Sequence, residues 1–364
     1  MKILDHESWK QEIVESVGKG VKRTIGTTFF RGDGANFMPY QKEYVAEGFF
    51  ETYVMNGLLP DKKFINASKT ITSIGSCFAQ NVTKYLTEKS FKMHSSVDSE
   101  IYISLMGEGM VNTYAIASQF EWALDGHVPT QNLWHGYKAE EFGYSEDIRR
   151  RTGAVFKQSK VFILTLGLSE VWYDEPTGGV FWRAIPMKHY DPARHKFKVA
   201  TQAENLANLN KIVDIIRKRV PDADILFTLS PIKLAATFRP MSCLTANHTS
   251  KANLKSALDQ LLQDRSTDKR LHYFPSYEII TELFPHPYKF DNRHIHTNII
   301  DFMMLLFDHF YIDPPSITAE ELRNLFVETR WQNCFDSASL FLQFGLDKTV
   351  DSLRAEREQN AKRP

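Results

Sequence analysis

Lys160-Val161-Phe162-Ile163-Leu164-Thr165-Leu166 is an almost unbroken apolar run that stops at Gly167. Side chains alternate between the two faces of a strand, so a run apolar on both faces must be covered on both. The arrangement that does this is a parallel sheet with helices above and below it. Ala223-Asp224-Ile225-Leu226-Phe227-Thr228-Leu229, stopped by Ser230-Pro231, repeats the pattern, and Thr70–Gly75 and Leu271–Phe274 are shorter segments of the same kind. Helix-like segments lie between them. Phe78, Val82 and Leu86 recur at i, i+4 and i+8; Ile116, Phe120, Trp122 and Leu124 mark a second helix; Leu206, Leu209, Ile212 and Ile216 line one side of Thr201–Val220. A further helix is expected over Ser250–Asp264 with Ser250 as its cap, and an apolar one over Thr297–Tyr311. Residues 171–198 read as a long irregular excursion, and residues 232–249 as a long loop.

Outside this alternating region, residues 1–66 are expected to be an extension packed on the core. It holds a helix through Trp9–Val17, a glycine- and aromatic-rich loop over Phe29–Phe37, and a second helix over Tyr44–Leu58. Residues 67–312 form the expected main domain, and residues 313–364 a helical extension fading into a charged tail. The opening residues are too polar for a signal peptide and no run reaches membrane-spanning length, so a cytoplasmic location is the expectation.

Lys plus Arg and Asp plus Glu both number 44, so no net field draws the chain to nucleic acid or to an anionic membrane. The three cysteines, Cys77, Cys243 and Cys334, are too dispersed for a disulfide framework or a zinc motif. His294 and His296 are two residues apart, which does not suit one metal face. No metal and no cofactor is expected. The aromatic share of 13% is compatible with a sugar- or acyl-binding cleft as well as with core packing.

Parallel sheets gather their sites in the loops beyond the carboxyl ends of the strands. Gly75-Ser76 lies at such a junction, between a strand and a helix. There Ser76 either caps the helix or presents its hydroxyl among unpaired N–H groups that can hold an oxyanion. Ahead of the last helix stands Asp291-Asn292-Arg293-His294. This spacing lets the carboxylate meet the imidazole N–H, fixing the tautomer while the other nitrogen serves as base. A structural polar turn has the same spacing.

Gly75-Ser76-Cys77-Phe78-Ala79 resembles the name-giving motif of the GSCFA family, a branch of the SGNH (GDSL-like) hydrolase superfamily. The resemblance extends in order through Leu164–Gly167, Leu229-Ser230-Pro231, Ser250–Leu254, Tyr273–Glu278 and Asp291–His294, covering roughly residues 68–300. It implies an α/β, three-layer α/β/α sandwich with a mainly parallel, flavodoxin-like sheet, carrying N- and C-terminal helical extensions. It implies Ser76 as nucleophile, His294 as general base and Asp291 as its orienting carboxylate. It also implies an oxyanion hole shared by the Cys77 amide, a glycine amide and an asparagine side chain. Gly107 and Gly109 compete for the glycine role, and Gly109 is preferred because Asn112 follows closely. The pattern Gly-x-Asn-Asp expected after the third strand is replaced by Gly167-Leu168-Ser169-Glu170, so the side-chain donor is either Ser169 or Asn112, with Asn112 favoured.

The activity implied is that of a serine esterase removing acyl groups, acetyl first among them, from an acylated sugar or glycan. The same site permits an O-acyltransferase supplied by an acyl donor, and the altered Gly167–Glu170 block leaves room for a non-catalytic glycan-binding or scaffold protein. Gly107, Glu170, Trp172, Ser230 and Arg293 are candidates for contacting substrate, with Trp134, Tyr173 and Trp182 as further platform aromatics. Each has a plainer reading. Cys77 suits a buried inert thiol, Glu170 and Glu278 structural hydrogen bonds, Arg293 a surface ion pair, and His296 a mere neighbour of His294.

Overall fold

The computed structural model describes residues 11–13, 23–25, 35–94, 110–129, 133, 145–182, 185 and 187–343. The chain separates into two compact units, residues 1–57 and residues 58–364. In the first, Gln11–Ile13 pairs antiparallel with Arg23–Ile25. The helix expected over Trp9–Val17 is therefore a strand at its centre; β-branched Ile13, and Thr24 and Ile25 in the strand it pairs with, are residue types that suit extended backbone. The helix expected over Tyr44–Leu58 is two short pieces, a 3-10 turn at Gln41–Val45 and a π turn at Phe50–Val54. Gly48 at φ +71° parts them, in a conformation that glycine alone adopts freely.

The second unit carries the sheet. Strands β1 (Thr70–Gly75), β2 (Lys92–Met93), β3 (Val161–Leu166), β4 (Asp224–Leu229) and β5 (Leu271–Phe274) bond in the order β2-β1-β3-β4-β5, every pair parallel. This is the flavodoxin-like order, whose crevice opens where the winding reverses between β1 and β3.

The register explains the apolar runs. Ile74, Leu164, Phe227 and Tyr273 stand side by side across the sheet. They join one core with helices α2 (Thr113–Phe120), α3 (Glu146–Gln158), α4 (Gln202–Arg219) and α5 (Cys243–Asp264). The alternate positions turn to the other face, where Phe274 meets Phe78 of α1 (Cys77–Glu88) at 6.5 Å and Phe307 of α7 (Thr297–Tyr311) at 5.7 Å between ring centroids. Phe78, Val82 and Leu86 are all buried, the stripe that their spacing predicts. Each such side chain contributes about 1.5–3 kcal/mol by leaving water. The short α6 (Ser276–Leu283) follows β5 directly, and α8 (Ala319–Gln343) closes the described chain.

Both α1 and α7 run from the carboxyl edge of the sheet towards its amino edge. The chain leaving α1 enters β2, which pairs with the first residues of β1, and Ile312, just past α7, bridges Ile65 ahead of β1. At their far ends, Tyr85 of α1 donates to Asp308 of α7 at 2.8 Å. The start of α1 and the loop leading into α7 therefore share the carboxyl edge.

Two expectations are corrected. Residues 171–198 are not irregular throughout: Glu170–Asp174 and His195–Val199 form an antiparallel hairpin, closed by the Arg194–Asp174 ion pair at 2.8 Å. Phe181 and Trp182, in the connection, are buried. Helix α5 begins at Cys243 rather than at Ser250, with Ser242 as its cap accepting the Leu244 amide at 3.2 Å. Its first two turns are polar and expose Leu244, so they lack the apolar stripe by which helices are read. Among the described residues no helix is long and apolar enough to cross a membrane.

Candidate active site

Ser76 caps α1. Its backbone is extended, and its Oγ accepts the Phe78 amide at 3.2 Å, which leaves the hydroxyl proton free for a base. Gly75 before it has φ +142°, and a Cβ there would stand 2.2 Å from the Thr165 carbonyl oxygen. Only glycine lets β1 lie this close to β3 and still turn into the helix. Ser76 is 5% exposed, at the crevice between the two strands. The amide of Cys77, as the first of α1, is one that the helix itself leaves without a partner. The Cys77 side chain lies outside what the structure describes.

The loop before α7 is a small hairpin. Tyr288 and Ile295 bridge antiparallel, the Lys289 amide donates to the His294 carbonyl at 2.7 Å, and Asn292 takes φ +55° at the turn. Asp291 organises it: Oδ1 accepts the amides of Arg293 and His294, each at 3.0 Å, while Oδ2 meets His294 Nδ1. The His294 imidazole beside Asp291, followed by the two amides, holds the carboxyl well below the usual carboxylate range. With Nδ1 engaged, His294 keeps Nε2 for a proton.

The chain leaving β4 braces this hairpin. Tyr288 donates to the Pro231 carbonyl at 3.2 Å, Arg293 Nε to the Lys233 carbonyl at 3.1 Å, and Lys233 Nζ to Asn292 Oδ1 at 2.9 Å. Arg293 is thus a brace for the loop through its Nε. Among the described residues no hydrogen bond joins Ser76 to His294.

Asn112 is also at the carboxyl edge. The Gly167 amide donates to the Val111 carbonyl at 2.7 Å, which brings residues 111–112 against the end of β3. Asn112 is 6% exposed and caps α2 through Oδ1, which accepts the Ala115 amide at 2.8 Å. That bond fixes the amide orientation and leaves Nδ2, which donates to nothing among the described residues. Ser169 is fully buried and faces α5 instead. Its Oγ donates to the Ser250 carbonyl at 2.8 Å, and its amide donates to Ser250 Oγ at 2.8 Å. Gly107, Gly109 and Trp134 lie outside the described residues.

Glu170 is largely buried, and burial raises its pKa; it accepts Thr237 Oγ1 at 2.9 Å and so ties the loop after β4 to the hairpin. Trp172 stands edge-on to Phe238 at 4.8 Å and to Phe197 and Tyr190 at 5.6 Å. Phe238 is 65% exposed, so the cluster offers an aromatic surface. Trp182 does not: it is fully buried, with its indole N–H on Ser118. Ser230 is fully buried, with its amide on Leu166 and its Oγ accepting the Ile232 amide. Glu278 accepts Tyr273 Oη and pairs with Lys255. Among the described residues no cluster of three or more His, Cys, Asp or Glu side chains is placed to hold a metal ion.

Lys251 lies inside the Ser250–Leu254 motif, and its role at this edge is not one that the sequence reading assigned. It is 2% exposed and donates to the Gly167 carbonyl at 2.5 Å and the Ser230 carbonyl at 2.6 Å, clamping the ends of β3 and β4 together. Burial pushes its pKa down to about 7. The available signal was its place on the buried stripe of α5, beside Asn247, Ser250 and Leu254.

Comparison with known proteins places these features in a family. An acetyl xylan esterase (Est2A) from the rumen bacterium Butyrivibrio proteoclasticus is similar over 59% of this chain and 57% of its own, at 10% identity and a TM-score of 0.30. The chain thus spans a little over half of that enzyme's length. A search of curated proteins finds no match. The sequence model of the GSCFA family matches residues 70–307, from the first residue of β1 into α7, which is more than half of the 364 residues. The chain belongs to the GSCFA family.

Proposed function

We propose that the protein is a serine esterase that removes acyl groups, acetyl foremost, from a carbohydrate or glycoconjugate. The observation that carries this reading is the Asp291–His294 pair, held in a braced hairpin at the sheet edge where Ser76 caps α1. In the proposed reaction Ser76 Oγ attacks the ester carbonyl carbon while His294 Nε2 takes the hydroxyl proton. The carbonyl oxygen becomes an oxyanion, which accepts from the Cys77 amide and Asn112 Nδ2, with Gly109 keeping the role that the family resemblance gives it. Collapse of this intermediate expels the sugar alkoxide, which takes the proton from His294. A water molecule then attacks the acyl-enzyme, giving its proton to His294, and Ser76 and the carboxylic acid are released. Asp291, held ionised, stabilises the imidazolium formed in each half.

The Trp172–Phe238 aromatic surface supports a sugar as the alcohol part, since apolar sugar faces pack on aromatic rings. The test is release of acetate from acetylated xylo- and gluco-oligosaccharides. The wild type releases acetate, and Ser76→Ala and His294→Ala do not. Equal release by all three proteins would overturn the proposal.

A further inference from the structure

A cavity of about 460 Å³ opens beside the hairpin that carries Asp291 and His294. Its walls come from the loop after β4, from α5, from α6 and its exit, and from the hairpin itself. Tyr277, Phe284, Pro285, Pro287 and Tyr288 make it apolar over much of its surface, and its volume is that of a small-molecule site. Among the described residues the polar groups include no acid: beside the Thr281 hydroxyl and the tyrosine hydroxyls they are basic or amide side chains. Lys233, His248, His286 and His296 all line it, together with the amides of Asn247 and Asn292, and among the described residues no Asp or Glu does.

Several of these groups have donors to spare. Asn247 is 7% exposed, and its Oδ1 accepts the Leu234 amide at 3.0 Å, which leaves the Nδ2 amide without an acceptor among the described residues. His296 Nε2 is buried with no hydrogen-bond partner among them, although an unmet buried polar atom is costly. Lys233 lies 3.7 Å above the Tyr288 ring and spends one donor on Asn292, so two of its three N–H groups remain. Burial lowers its pKa, a cost that an anion beside it would offset. His286 is fixed in place by α8, where Asn333 bonds to both its amide and its carbonyl.

We infer that this cavity binds a sugar-sized molecule carrying one compact oxyanion, a carboxylate or a phosphate, which takes Lys233, Asn247 and His296 as its donors. The aromatic and proline walls accept the apolar faces of the ring, and the absence of carboxylates among the described lining residues removes the repulsion that would exclude an anion. The site touches the proposed catalytic hairpin through Asn292, the residue after Asp291. It is a binding site in its own right and does not depend on the esterase reading.

Isothermal titration calorimetry of the full chain tests this with four probes: glucuronate, glucose 6-phosphate, inorganic phosphate and neutral glucose. At least one charged sugar is expected to bind roughly tenfold or more tighter than glucose, as a charged hydrogen bond implies. The stronger of the two identifies carboxylate or phosphate, and inorganic phosphate competes with it. Lys233→Met and His296→Gln, each checked for an unchanged circular dichroism spectrum, weaken that sugar by about tenfold. Ser76→Ala binds it as the wild type does, which separates this site from the fate of the esterase proposal. Binding of charged sugars no tighter than glucose, or wild-type affinity in both folded cavity variants, overturns the inference.

Discussion

Asp291 receives His294 twice, its main-chain amide at 3.0 Å through Oδ1 and its imidazole through Oδ2, so one carboxylate sets both the backbone turn and the ring of the histidine. The pairing comes from four consecutive residues, yet its place at the sheet edge depends on braces from the chain that follows β4.

Asp291→Asn keeps the turn and removes the charge. The expected loss in kcat/KM on an acetyl ester is about 10³–10⁴-fold, the range for a triad carboxylate replaced by an amide. Because the contact with His294 and two amides favours the carboxylate, the wild-type Asp291 carboxyl carbon should hold its ionised NMR shift down to about pH 3, below the usual Asp midpoint. The stabilisation from this group is present above the unfolded-state value and is lost only as pH falls below it. Titration of Asp291 near pH 4 would contradict the account.

Gly75→Ala tests the turn that presents Ser76. The added carbon meets the Thr165 carbonyl at 2.2 Å from a backbone at φ +142°, so β1 must move away from β3. The expected cost is about 3 kcal/mol or more, read from chemical denaturation. Wild-type stability in this variant would refute the close approach.

Asn112 carries two roles that separate by substitution. Asn112→Ala loses both the cap of α2, worth about 1 kcal/mol, and the Nδ2 donor. Asn112→Asp keeps the cap, loses the donor and sets a negative charge in its place. Both should lower kcat by about 10²–10³-fold with little change in KM, while only the alanine variant loses the cap's contribution. Unchanged kcat in Asn112→Asp would remove this residue from the oxyanion hole.

Lys251→Met leaves the Gly167 and Ser230 carbonyls without their buried donor. With its pKa lowered from 10.5 to about 7, the wild-type lysine is deprotonated in the folded chain and protonated in the unfolded chain between those values. The unfolded state binds more protons there, so wild-type stability rises with pH across that window. The variant lacks this rise, and its deficit should grow from pH 7 to pH 10, reaching about 2 kcal/mol or more. Denaturation at pH 7, 8.5 and 10 measures it, and a deficit that shrinks with pH would contradict the assignment.

The sheet was legible because β3 and β4 are apolar on both faces, which a strand covered by helices above and below requires and an exposed strand forbids. What escaped was structure whose stabilisation comes from elsewhere in the chain. The Glu170–Asp174 hairpin reads as polar surface until Arg194 closes on Asp174. Helix α3 carries a three-arginine run, Arg149-Arg150-Arg151, that hides a buried stripe of Ile148, Thr152 and Phe156. The same division holds at the site. Gly75-Ser76 and Asp291-x-x-His294 are short-range patterns and can be found by spacing. Lys251 bonds to residues 84 and 21 positions away, and a lysine on a helix ordinarily reads as solvent-facing.

The central claim is that Ser76 is the nucleophile activated by the Asp291–His294 pair. Incubating the full chain with a fluorophosphonate probe and locating the adduct by peptide mass spectrometry tests it most directly. The account predicts one adduct, on Ser76, that is absent in Ser76→Ala and strongly slowed in His294→Ala. Labelling that persists in Ser76→Ala, or a wild-type chain that takes no label, would contradict it.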